Sequence, residues 1–179
     1  MSNLFNHESG VTNMGTALNI RRATLSDSEA IYRVHRDSVE QLCGAHYDAR
    51  QLAMWLDGRT PAVYQAAIDR GQLWVAERHN IIGFVEIDGD ELSKLFIAGA
   101  HSGQGVGTRL LCVAMDAITA GGAAQAHLEA TVGAVPFYER HGFHITGTGF
   151  FSRGNGLVRI EIVKMARPCT ATSSDRSNA

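Results

Sequence analysis

Three alternating glycines, Gly103, Gly105 and Gly107, lie within the run Ser102-Gly103-Gln104-Gly105-Val106-Gly107-Thr108, between an apolar strand-like stretch and an apolar helix-like stretch. That placement suits anion binding. The first turn of a helix carries unpaired backbone N–H groups and the positive end of the helix dipole, and glycine permits left-handed dihedrals and close approach by a bulky diphosphate. Two nucleotide motifs fail residue by residue. A P-loop needs a lysine between its last glycine and the hydroxyl residue, but Gly107 is followed directly by Thr108. A dinucleotide fingerprint counted from Gly103 needs glycine where Thr108 stands. His141 and His144 straddle Gly142 with no cysteine or carboxylate to complete a metal set, and Cys112 falls in the apolar stripe of a helix, so no metal and no cysteine nucleophile is expected.

The elements that position this loop follow from periodicity and punctuation. Residues 18–23 read as a strand, and Ser26 with Glu29 makes a capping box ahead of Ala30, Ile31 and Val34 of a helix. Asp48 caps a second helix with Leu52, Trp55 and Leu56, and Thr60-Pro61 opens a third, short helix closed by Gly71. Strand-like runs at residues 73–77, 81–87 and 91–98 have links short enough for an antiparallel meander, which also argues against a βαβ dinucleotide unit. Residues 108–119 form a largely buried helix ended by Gly121-Gly122. A strand at 126–130, a helix at 134–141, a strand at 143–151, a Gly154-Asn155-Gly156 turn and a strand at 157–164 complete the chain.

Composition bounds the setting. The 179 residues predict one mixed α/β (α+β) domain over 16–167, with segments 1–15 and 168–179 expected to be disordered and Met14 available as an alternative start. Hydrophobic residues at 45% support a real core, while 16 Lys and Arg against 18 Asp and Glu leave a formal charge of -2 and argue against a nucleic-acid partner. The Arg21-Arg22 and Arg33-Arg36 pairs read as ordinary surface. Cys43, Cys112 and Cys169 are odd in number and widely spaced, and no apolar run approaches the ~18 residues of a membrane span, so a cytoplasmic protein with no membrane partner is expected. The 19 glycines against three prolines are the outlier, and the loop gives part of that excess a purpose.

Leu95-Phe96-Ile97 followed by the Ser102 to Gly107 run resembles the acetyl-CoA motif of the GCN5-related N-acetyltransferase (GNAT) superfamily, [RQ]xxGx[GA] after a hydrophobic strand. Ala134-Val135-Pro136-Phe137-Tyr138-Glu139-Arg140-His141-Gly142-Phe143 is similar to its AxxFYxxxGF segment, in the family's order and spacing. Ser102, where the family usually has Arg or Gln, and Thr131, where many members have Asn, depart from the pattern. The resemblance implies the GNAT fold: a mixed, mostly antiparallel sheet of about seven strands flanked by helices, with a splayed parallel pair at the acetyl-CoA site. It implies that the main chain of Leu95, Phe96 and Ile97 pairs with the pantetheine arm, that residues 102–108 cradle the diphosphate, and that Thr131, Ala134, Phe137 and Tyr138 complete the cofactor contacts. A strand edge suits the two amides of pantetheine.

By the same resemblance Tyr138 is the proton donor: a phenol of pKa about 10 can protonate a thiolate whose thiol has pKa about 8.5. A backbone N–H near Ile97 is the expected polarising donor. An amine of pKa near 10 must lose a proton before attack, and Glu86, on the face of Ile82 and Phe84, is ranked narrowly ahead of Glu91 as its acceptor, while Glu129 in the following strand reads as structural or as orienting a site water. The expected activity is acetyl transfer from acetyl-CoA to a primary amine by direct attack in a ternary complex, with a small-molecule acceptor preferred. A protein or peptide acceptor and a catalytically silent acyl-CoA sensor are the alternatives. Residues 34–64 should cover the acceptor, with His35, Tyr47 and Trp55 shaping its pocket, and the resemblance admits a homodimer.

Overall fold

The first long helix starts from a cap earlier than the expected Ser26–Glu29 pair. The computed structural model describes residues 17–152 and 158–169, so the expected tails at 1–15 and beyond 169, Met14 and the Gly154-Asn155-Gly156 turn lie outside the described residues. After strand β1 (Asn19–Arg22), Thr24 and Asp27 form the capping box over a 3-10 turn, Leu25–Asp27, which runs into α1 (Ser28–Leu42). Asp27 wins because its carboxylate takes both the Thr24 amide at 2.8 Å and the Thr24 hydroxyl at 2.9 Å, a reach Glu29 does not have.

The sequence then delivers α2 (Ala49–Leu56), capped as expected by Asp48, and α3 (Gln65–Asp69) after a 3-10 turn begun by Pro61. Strands β2 (Leu73–Glu77), β3 (Ile81–Asp88) and β4 (Glu91–Ile97) form the antiparallel meander. Helix α4 (Val106–Ala120), β5 (Gln125–Thr131), α5 (Val135–Arg140), β6 (His144–Phe151) and β7 (Ile160–Pro168) complete the order. Among the described residues seven strands make one sheet, β1-β2-β3-β4-β5-β7-β6, in which only β4 and β5 run parallel. Strand β7 runs on past Lys164 because it pairs with β5 as far as Gln125↔Pro168. Among the described residues no helix is long and apolar enough to cross a membrane.

The sheet buries its two faces separately. On one face α4 sets Leu110, Leu111, Ala114 and Ile118 against Val85, Ile87, Leu92 and Leu128; Cys112 points outward, so the buried stripe is narrower than expected. On the other, Ile31 and Val34 of α1 pack with Tyr64, Leu73, Val75 and Phe84, and α2 covers Ile160 and Ile162 through Trp55. Helix α1 buries positions 31, 34, 35, 38 and 39, one stripe at helical spacing, but two of them, His35 and Ser38, are polar. Both turn out to line the cavity described below.

Two close approaches lock α1 to the sheet. The Arg21 guanidinium grips Asp27 in bidentate fashion at 2.7 and 3.0 Å and also reaches Glu77 at 2.9 Å, so Arg21 is a tie between β1, β2 and α1 rather than plain surface. At the other end the Asp37 carboxylate accepts the Gly99 amide at 2.7 Å, and a Cβ on Gly99 would stand 2.7 Å from Cβ of Gln41. Gly99→Ala should therefore destabilise the fold by about 1–3 kcal/mol in urea melts, by forcing α1 from the loop after β4; an unchanged midpoint would refute this contact.

Arg21 holds the Asp27 carboxyl down at about 2, below the ordinary 3.8. A depressed carboxylate pKa contributes stability above the unfolded value that is lost as pH falls through the folded one. With Arg21 half-exposed, the contribution is about 1–2 kcal/mol. Asp27→Asn should lower stability by that amount at pH 7, and the gap to wild type should close between about pH 4 and 2; a gap constant over that range would exclude the ion pair as its cause.

Candidate functional site

Parallel pairing between β4 and β5 spans only Glu91↔His127 and Leu92↔Leu128, and beyond it the strands part. A bulge lies at the same place: on β3 the pairing passes from Glu86↔Lys94 directly to Ile87↔Leu92, leaving Ser93 as the extra residue of β4. The bulge re-aims the strand, so that Leu92 and Leu95 both meet the α4 side of the core. In the β3–β4 ladder the Ala98 amide donates to Ile82 at 2.9 Å, and by alternation Phe96 also faces β3. The backbone N–H and C=O groups of Leu95 and Ile97 therefore point across the gap toward β5.

A cavity of about 940 Å³ opens at this parting and runs from the glycine loop to the underside of α1 and α2. Leu95, Phe96, Ile97, Ser102, Gly103, Gly105, Gly107, Thr108, Thr131, Ala134, Phe137 and Tyr138 all line it. Gly103 and Gly105 adopt φ of +73° and +77°, the left-handed region, and Gly105 is the N-cap of α4, so successive amides converge at the start of a helix of ordinary length. A Cβ on either would meet nothing within 4 Å, which makes this a concave, open cradle. Gly107 serves another purpose: its missing side chain lets the Phe137 ring come to 3.4 Å of where a Cβ would stand.

Two expected contact residues are off the cavity wall. Val106 is buried in the core beneath the loop, and the Gln104 side chain turns aside to donate to the Ala100 carbonyl at 3.0 Å while accepting from Arg78 at 3.0 Å. Gln104 thus braces the loop and brings a cation from the β2–β3 turn beside a cradle that lacks one at Ser102. Nothing in the spacing of Arg78 flagged this. His141 braces the far side. Its Nδ1–H donates to the Phe137 carbonyl at 2.8 Å, leaving Nε2 to accept from the Thr108 hydroxyl at 3.1 Å, which ties α5 to the first turn of α4.

Tyr138 is buried between Phe137 and Phe143, with ring centroids at 5.1 and 5.7 Å, and burial pushes its phenol above the usual value near 10. It stays protonated through the neutral range. Cys43 on the opposite wall is likewise raised by burial, to about 11, and remains a thiol.

The carboxylates sort differently from expectation. Glu86 is buried, but its carboxylate is held by Lys94 Nζ at 2.5 Å and by the Ser93 hydroxyl at 3.3 Å, and it is not on the cavity wall. Lys94 pairs with it across the ladder, a partner that the alternation of β3 alone does not reveal. Glu91 and Glu129 do line the cavity.

On the cavity wall beneath α1 and α2, Trp55 stands edge-on to Phe96 at 6.2 Å and to Tyr47 at 6.1 Å, with Phe151 at 6.4 Å. Tyr47 fastens this wall: its hydroxyl donates to the Glu161 carbonyl at 2.8 Å and accepts the Val132 amide at 3.0 Å. His35 lies against Phe96 at 4.0 Å and bonds Tyr64 at 2.8 Å. His46, Arg59 and Phe151 join the lining without any local sequence signal.

The family model described as "Acetyltransferase (GNAT) domain" matches residues 43–164. Among solved structures, a GCN5-related N-acetyltransferase from Rhodopseudomonas palustris superposes with a TM-score of 0.77 at 23% identity, covering 86% of this chain and 95% of its own. The PaiA N-acetyltransferase from Thermoplasma acidophilum, in complex with coenzyme A, gives 0.70 at 18% identity over 85% and 99%. YncA from Salmonella typhimurium, with its cofactor acetyl-CoA, gives 0.67 at 15% identity over 91% and 100%. A search of the curated proteins found no match. With more than half of its length matched and the splayed β4–β5 pair in place, the chain belongs to the GNAT acetyltransferase family and is an acyltransferase.

Proposed function

We propose that the protein transfers an acetyl group from acetyl-CoA to the primary amine of a small molecule, by direct attack within a ternary complex. The observation that carries this reading is the parting of β4 and β5 after Leu92 beside the left-handed Gly103–Gly105 turn, which leaves a strand edge and an anion cradle on one cavity wall. Acetyl-CoA fits these residues: the Leu95 and Ile97 backbone groups suit the amides of pantetheine, and the amides at the start of α4 suit the diphosphate. When bound it supplies an acetyl group already activated as a thioester.

The chain's own residues then do four things. The β4 edge and the loop hold the donor in one place, which converts an encounter of two solutes into a reaction within one complex. An N–H near Ile97 polarises the carbonyl. The Tyr138 phenol, kept protonated by burial, hands its proton to the sulfur as the C–S bond breaks and regains one from the nitrogen of the new amide. Glu91, on the cavity wall where Glu86 is not, takes the proton from the incoming ammonium, directly or through water, while Glu86 holds Lys94 in place.

Tyr138→Phe keeps the ring and removes the proton. It should lower kcat about 100-fold while KM for acetyl-CoA stays within about twofold, in a thiol-release assay; a kcat near wild type would remove Tyr138 from the reaction. Gly105→Ala places a Cβ at φ +77°, with no neighbour to clash. If the free protein relieves the left-handed strain of about 1–2 kcal/mol by turning the 105 amide out of the cradle, acetyl-CoA binding, which needs it in place, should weaken by about 5- to 30-fold in calorimetry, and an unaltered Kd would place the diphosphate elsewhere.

A further inference from the structure

Resting on the reading above, we infer that the acceptor is a monoamine with an aromatic body, rather than a polyamine, an amino sugar or a lysyl peptide. The acceptor half of the cavity is divided by chemistry. One part is the ring cluster of Trp55, Tyr47, Phe96 and Phe151, floored by Ile160 and Ile162 of β7. Trp55 and Tyr47 are buried and Phe96 and Phe151 half-buried, and all four line the cavity, so the cluster offers it an apolar aromatic wall against which another flat group can pack edge-on or offset.

The other part is charged and lies where β4 and β5 part. Leu92, Leu128 and Ala130 belong to the α4 side of the core, so Glu91 and Glu129 fall by alternation on the opposite face, the one that bears Phe96. Their side chains are 40% and 50% exposed, and among the described residues the His127 ring stands 4.0 Å from Glu91 and the Lys164 ammonium 3.8 Å from Glu129, both beyond hydrogen-bond distance. These carboxylates face the cavity with charge left to attract one ammonium. Lys94 adds no free charge, because Glu86 occupies it at 2.5 Å.

A polycation would have to place a second ammonium in the direction of α2, where the cavity lining offers rings instead of carboxylates. An amino sugar would set hydroxyls against Trp55, Phe151 and Ile162, leaving them without partners and at a loss of binding. An arylalkyl amine satisfies both parts at once, with its ammonium between Glu91 and Glu129 and its ring in the cluster.

The test is a panel at saturating acetyl-CoA, read as kcat/KM by thiol release: 2-phenylethylamine and tryptamine against n-butylamine, spermidine, glucosamine and a lysyl peptide. The aryl amines should exceed n-butylamine by about tenfold or more, as expected for added apolar contact in a formed pocket. Trp55→Leu and, separately, Phe151→Leu should draw that ratio toward one. A preference for spermidine, glucosamine or n-butylamine overturns this inference and leaves the small-amine reading standing. Turnover of the peptide alone, or of no amine at all by protein that binds coenzyme A, overturns both.

Discussion

Parallel strands that separate within a sheet leave two rows of backbone donors and acceptors facing each other with nothing between them, and a folded protein does not keep such groups dry and unpaired. In this chain the separation begins at Leu92↔Leu128, and most of the architecture can be traced to it. Strand β4 stays straight enough to pair with β3 because the Ser93 bulge absorbs one residue of register, while β5 is drawn the other way by a seven-residue ladder to β7. The gap is thus held open from both sides by pairing that is stronger than what was given up. The exposed edge of β4 becomes usable because a ligand with its own amides can complete it.

The same gap determines where the helices must begin. Helix α4 starts after the residues that follow β4, so its positive end lies at the mouth of the gap, and the left-handed Gly103 and Gly105 turn the chain tightly enough to keep it there. Helix α5 starts soon after β5 and brings Phe137 against Gly107 and Tyr138 into the core beside Phe143. His141 then ties the two helix starts through Thr108. Binding groups and the buried phenol are therefore fixed by one short set of contacts, which limits how far either can drift from the other.

Those parts of the molecule were legible because they are local. The alternation of Gly103, Gly105 and Gly107, the Phe137-Tyr138 pair and the turn at Gly142 are read within a few residues, and the structure places nearly all of them on one cavity. What was misread depended on distant partners. Ser26 and Glu29 have capping-box spacing, but Asp27, drawn to both Thr24 and Arg21, holds the cap instead. Alternation puts Glu86 on a buried face correctly, yet its role turns on Lys94, and their pairing depends on a bulge that β3 does not announce. The ring cluster is gathered from α2, β4 and β6, with Tyr47 from the loop before α2; Trp55 and Tyr47 could be suspected singly, but Phe96 and Phe151 join them only through the sheet order.

This division has a consequence for how specificity is built. The donor side is made from β4, the loop and α5, whose backbone geometry leaves little freedom. On the proposed reading the acceptor side is made from side chains on α1, α2, β6 and β7, with Phe96 of β4 and Tyr47 of the loop before α2, held over the gap by a few bonds such as Tyr47 to Glu161 and Asp37 to Gly99. Changing Trp55 or Phe151 alters the shape that a body must fit without touching the amides of the cradle, whereas changing Gly105 alters the cradle without touching the rings. Lys94 sits where the two sides meet, and a lysine there would repel the ammonium of an amine if its charge were free. The buried Glu86 carboxylate, at the desolvation cost such a group carries, pairs with that charge, so that on the proposed reading Glu91 and Glu129 are left to draw the ammonium to the parting of β4 and β5.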